Sequence, residues 1–141
     1  MVSGLTMQLV AQSQSDLAQV LQKCIDLFEL QQYYPLNSDG SMKPLYIMQY
    51  PVSFSSDQVI EKAGGMVKFM TKSDIAKNKV ESYFMFRSLK IDQNSADVNC
   101  NYFYSYNYTS KKFKMVSVIL ELQKTGLQWN IINVAMKGDM L

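Results

Sequence analysis

The sequence predicts an α+β domain in which one amphipathic helix packs on a long, curved antiparallel sheet. Two observations carry this. Residues 15–34 repeat apolar side chains at helical spacing, and the last sixty or so residues fall into four long strand-like runs joined by short polar turns. Helix and strands are segregated along the chain, as α+β architecture requires. A length of 141 residues suits one domain with a substantial core, and 48% hydrophobic with 18% charged residues is the balance of a folded chain. Residues 1–141 therefore read as a single domain, with residues 1–14 either fraying ahead of the helix or, over 5–12, extending it.

In SDLAQVLQKCIDLFELQQYY, residues 15–34, the positions Leu17, Val20, Leu21, Cys24, Ile25, Leu27, Phe28 and Gln31 share one helical face, while Gln19, Gln22, Lys23, Asp26 and Glu29 line the other. Ser15 or Asp16 can cap the first turn, and Pro35 ends the pattern because it has no amide hydrogen to donate. Asn37 to Ser41 has the composition of a turn. Leu45 to Phe54 reads as a strand, with Pro51 confining it to an edge or to the strand's end. Ser55 to Gly65, with caps at Ser56 and Asp57 and a Gly-Gly stop, predicts a short helix; Met66 to Met70 predicts a strand, followed by a capped turn at Ser73-Asp74-Ile75. The runs 80–92, 96–108, 112–124 and 127–137 are separated by Gln93-Asn94-Ser95, Thr109-Ser110-Lys111 and Thr125-Gly126, each short enough for a hairpin, so residues 80–137 form a four-stranded antiparallel meander. In the third run Val116, Val118, Leu120 and Leu122 make an aliphatic side suited to the core, which leaves Phe113, Met115, Ser117, Ile119 and Glu121 outside.

The closing hairpin, VSVILELQKTGLQWNIINV, with Gly126 in the turn and Trp129 opening the last strand, resembles the end of nuclear-transport-factor-2-like domains. That resemblance implies the cystatin-like α+β cone, a helix wrapped by a curved sheet with a pocket at the cone's mouth. It implies no single function, because the superfamily hosts enzymes, ligand carriers and assembly modules alike. The middle third departs from it, since Leu45 to Phe54 reads as a strand where such domains commonly carry further helices.

The chain contains no histidine, which removes Ser-His-Asp and Cys-His nucleophilic arrangements, an imidazole base and imidazole-built metal sites. Most acids, including Asp16, Asp57, Asp74, Asp92 and Asp139, sit at predicted caps and turns. Cys24 and Cys100 belong to different elements and read as two buried thiols, which leaves no ligand set for zinc. No metal or cofactor is called for. Fourteen basic residues against twelve acidic ones leave a net charge of +2, too small to name a nucleic-acid or anionic-membrane partner. No run approaches the length of a membrane span, and MVSGLTMQLV lacks the features of a signal peptide; the chain reads as soluble, with export after removal of a leader left open.

The concentrated feature is VNCNYFYSYNY, residues 98–108. Alternation places Val98, Cys100, Tyr102, Tyr104, Tyr106 and Tyr108 on one side of a strand and Asn99, Asn101, Phe103, Ser105 and Asn107 on the other. Either the tyrosines wall a core, or they line a surface where a rigid aromatic with a hydroxyl is useful. The binding residues expected on the second reading are Tyr102, Tyr104 and Tyr106, with Met115 and Trp129 beside them. This leads to a non-catalytic binding or protein-interaction module, taking a small hydrophobic ligand or a protein partner, or forming a homodimer through the sheet. The alternative is a cofactor-free isomerase or lyase with Asp97 or Glu121 as base and a tyrosine as donor. A third reading stacks single-stranded nucleic acid on the tyrosines beside Lys111, Lys112 and Lys114, with little support from the net charge.

Overall fold

In the computed structural model, residues 16–54, 61–62 and 65–138 are described. Residues 16–25 are helical (α1), and Val20, Leu21, Cys24 and Ile25 are buried from one face of it. The helical periodicity continues to Tyr34, but the α-helix does not: Leu27 adopts ψ 120°, and Phe28–Tyr33 winds as a 3-10 helix. The break changes which side chains are covered. Leu30 and Tyr34 turn into the core, and Phe28 is left 82% exposed. Tyr34 Oη donates to the Ile25 carbonyl at 2.8 Å, so a carbonyl released at the end of α1 gains a buried partner.

Strand β1, Leu45–Met48, stops short of Pro51, and the Gln49 amide then holds the Phe54 backbone from both sides, donating to its carbonyl and accepting from its N–H. Of the predicted helix over Ser55–Gly65, residues 55–60 and 63–64, with both its caps, lie outside the described residues. Glu61–Lys62 (β2) is a short strand antiparallel to β3, Gly65–Met70, rather than the last turn of a helix. Helix α2, Lys72–Lys77, is capped by Thr71, whose Oγ1 accepts from the Asp74 N–H at 3.0 Å.

The remaining strands are β4 Tyr83–Ile91, β5 Ser95–Asn107, β6 Lys112–Thr125 and β7 Gln128–Gly138, antiparallel neighbours in sequence order. The full order is β2-β3-β1-β4-β5-β6-β7, and β1 runs parallel to both β3 and β4. The sheet is therefore mixed where an antiparallel one was expected. The chain leaves β3, crosses β1 through α2, and returns in the same direction as β4, which requires a crossover rather than a hairpin. Bulges between Phe86 and Ser88, Tyr104 and Asn107, and Glu121 and Leu122 break the register of the long strands.

The inner face carries the main core, where α1 and the 3-10 segment cover Ile47, Phe84, Phe86, Val98, Cys100, Tyr102 and the aliphatic side of β6. The outer face carries a smaller cluster, in which Ile75 of α2 packs with Met48 and Val80 and is flanked by Tyr46, Met70, Tyr83 and Met85. At the β6–β7 hairpin, Asp16 Oδ1 accepts from Lys124 Nζ at 2.9 Å and from Trp129 Nε1 at 3.2 Å. This ties the start of the described helix to the far end of the sheet. No helix among the described residues is long and apolar enough to cross a membrane.

Candidate functional site

The tyrosine run of β5 is divided between the two faces of the sheet. Tyr102 is wholly buried, with its ring 4.7 Å from Phe84 and 5.3 Å from Tyr34. Tyr104 is half-buried on the same face, 4.9 Å from Tyr33. Ser105 then takes φ 55°, and Ser105 and Tyr106 together stand opposite the single residue Phe113, between the pairs Tyr104 with Lys114 and Asn107 with Lys112. One extra residue inverts the alternation. Tyr106 consequently stacks on Phe113 of the outer face, with centroids 5.7 Å apart and planes 6° apart, instead of following Tyr104 inward. Tyr108 lies 4.5 Å from Tyr106, and its hydroxyl donates to the Val80 carbonyl at 2.6 Å.

On the outer face the rings join up. Tyr83 stacks on Phe103 at 5.1 Å, Phe103 meets Phe113 edge-on at 5.3 Å, and Phe113 carries Tyr106. Met115 pairs with Phe103 and Met85 with Asn101 on the same side, and Ser117 Oγ donates to Asn101 Oδ1 at 3.0 Å. Tyr83, Met85, Phe103, Tyr106, Phe113 and Met115 are all half-buried, so each shows part of its surface to solvent. Of the five residues nominated from the sequence, Tyr106 and Met115 belong to this platform. Tyr104 is on the other side of the sheet, while Tyr102 and Trp129 are closed into the core and present no surface to a ligand. Tyr83, Phe103 and Phe113 were not nominated. Their signal was the position of Phe103 and Phe113 on sides read as outward-facing.

Asp97 and Glu121 are both exposed, and Glu121 accepts from Asn133 Nδ2 at 3.1 Å. Neither sits in an enclosed apolar pocket beside a tyrosine donor, as the enzymatic reading requires. Alternation along β6 points Lys112 and Lys114 to the side opposite Phe113 and Met115, which separates those cations from the stacking surface.

Burial sets the ionisation of the aromatic and thiol groups. Tyr83 is pushed up to about 12 by burial, with Tyr108 and Tyr106 adding to the effect. Burial also raises Tyr34 and Tyr102 well above the ordinary phenol range and lifts Cys100 to about 12; it raises Cys24 well above the ordinary thiol value, with Cys100 beside it adding to the effect. These are acids whose neutral form the fold favours, so their contribution to stability is complete below their unfolded values, roughly 8.5 for thiol and 10 for phenol. It is lost as pH rises through the folded values. An absorbance titration at 295 nm should therefore show Tyr34, Tyr83 and Tyr102 ionising above the ordinary phenol range, and the melting temperature should fall steadily above about pH 9. Ionisation of these three at the ordinary phenol value in protein that is still folded would contradict it. Tyr102→Phe should remove one late phenol at no cost in stability, because the Tyr102 hydroxyl is buried beside Ser82 without closing a hydrogen bond of normal geometry.

In comparisons with known proteins, no family model, no curated protein and no solved structure matches this chain.

Proposed function

We propose that this protein is a non-catalytic interaction module that pairs with a second copy of itself through the outer face of β4, β5 and β6. The observation that carries this is the joined, half-exposed platform of Tyr83, Phe103, Phe113 and Tyr106 with Met85 and Met115. Aromatic and methionine side chains are enriched at the centres of interfaces, where their area is desolvated at small entropic cost. Those six residues and the adjoining Asn101 and Ser117 carry no charge, so a symmetry-related copy can lie on them without burying like charges. The short α2 packs beside one end of the platform, where Tyr83 and Met85 lie against the cluster that Ile75 forms with Met48 and Val80. The resemblance of the closing hairpin to nuclear-transport-factor-2-like domains is compatible with this role, since assembly modules are among the functions that superfamily hosts.

Sedimentation equilibrium at about 100 µM, a concentration that populates dimers of micromolar Kd, should give a dimer. Met115→Glu should weaken it by roughly a hundredfold or more, because a carboxylate would be buried against its own symmetry mate. Ile132→Glu, on the exposed part of edge strand β7, should leave the dimer intact. A monomer at that concentration, or a dimer lost only with Ile132→Glu, overturns the reading.

A further inference from the structure

On the same side of the sheet, beyond α2, a groove of about 550 Å³ opens between the start of β1, the end of β3 and the link from α2 to β4. Each of these three segments contributes a lysine: Lys43 ahead of β1, Lys68 in β3 and Lys79 after α2. None of the three ammonium groups has a carboxylate within ion-pair distance among the described residues, where the bridge from Lys124 to Asp16 is the pair formed. Glu81 is the acid on the rim. The apolar part of the wall is formed by Tyr46, Met70 and Val80, and Asn78 and Ser82 add neutral polar groups. Three lysines and one acid leave the lining of this partly apolar concavity net positive, which suits a ligand of opposite charge with an apolar body.

The way Lys79 is held is a second, independent indication. Helix α2 ends in a Schellman arrangement: Val80 N–H donates to the Ile75 carbonyl at 3.0 Å, Lys79 N–H to the Ala76 carbonyl at 3.2 Å, and Val80 packs on Ile75. The residue at the turning position must be left-handed, and glycine is the usual occupant. Here it is Lys79, at φ 53°. The chain accepts the steric cost of a side chain at the one point of this loop where a glycine would remove it, and that side chain lines the groove. The loop is also braced from behind, since Tyr108 Oη donates to the Val80 carbonyl and Tyr106 N–H to the Glu81 carbonyl.

We propose that this groove binds a small organic oxyanion, a phosphate monoester or carboxylate carried on an apolar body. Lys43, Lys68 and Lys79 hold the charged head, and Tyr46 and Met70 take the body. The site does not depend on self-association, because none of the residues that hold the ligand belongs to the platform on β4, β5 and β6.

The probe is 1-naphthyl phosphate, titrated calorimetrically at low salt, with 1-naphthol and inorganic phosphate as separate arms. The phosphate ester should bind one to one, and about tenfold or more tighter than either fragment, since head and body contribute together. Lys68→Gln should weaken it roughly three- to tenfold, the range for one partly exposed charge contact. Lys79→Gly distinguishes a ligand contact from a structural one: binding should fall by a similar factor while the melting temperature stays level or rises a few degrees, because the left-handed turn is relieved. Equal affinity for 1-naphthol, or undiminished binding by the Lys79→Gly, Lys68→Gln double variant, overturns the site. The same head group on a bilayer is tested with phosphatidic acid vesicles. Co-sedimentation with these, without binding of 1-naphthyl phosphate, also overturns it, because a concave soluble-ligand site would then be the wrong geometry.

Discussion

Trp129→Ala should lower the free energy of unfolding by about 4 kcal/mol, within the range for truncating a large buried aromatic. Trp129 is the bulkiest of the wholly buried side chains and lies where the first turn of α1, the β6–β7 hairpin and the sheet's inner face meet. Its loss leaves a void at a junction of three segments that cannot all close on it, and it strips one donor from Asp16. Urea denaturation followed by far-UV circular dichroism should show the midpoint falling by roughly 2 M, taking a slope of about 2 kcal/mol per M. Trp129→Phe should recover more than half of the loss, since it restores most of the volume and not the N–H. A midpoint within about 0.5 M of wild type for the alanine variant would mean that the hairpin does not anchor the helix.

Asp16→Ala should cost about 3 kcal/mol, chiefly because of what it leaves behind. The Asp16 and Lys124 side chains are only 14% and 8% exposed, so removing the carboxylate strands a nearly buried ammonium and the Trp129 N–H at once. Breaking one side of a buried pair is much more expensive than replacing both, since the surviving charge keeps its desolvation cost. Lys124→Met in the Asp16→Ala background should therefore restore most of the stability, and the double-mutant cycle should give a coupling of about 2 kcal/mol. If the two substitutions add without coupling, the bridge is ornamental and α1 is held by its apolar face alone.

Which parts of this fold could be read from the chain follows from how local their causes are. Alternation and turn composition determine the long strands β4 to β7, because each needs only period-two patterning and a polar connection nearby. The same rule put Val116, Val118, Leu120 and Leu122 on the buried side of β6, where they are found. The 3-10 turn after Leu27 was not legible, since the residues from Phe28 to Tyr34 continue the helical spacing; a buried Tyr34 hydroxyl and a buried Leu30 decide it, and both depend on a sheet that forms elsewhere.

The candidate surface divides in the same way. That β5 is rich in tyrosine is plain in the sequence, and the absence of histidine limits what chemistry it could serve. Where those tyrosines point turns on Ser105, a serine in a left-handed conformation that no local composition announces. A single inserted residue moves Tyr106 from one face to the other, because a strand alternates with a period of two and any odd shift inverts it. Lys43, Lys68 and Lys79 are likewise scattered along the chain and become neighbours only through the parallel pairing of β1 with β3 and the α2 crossover. Patterning along the chain thus specifies elements and their buried sides, where each residue answers to its near neighbours. Surfaces built from several elements are set by non-local pairing and bulges, whose energies come from contacts between segments that the linear order keeps apart.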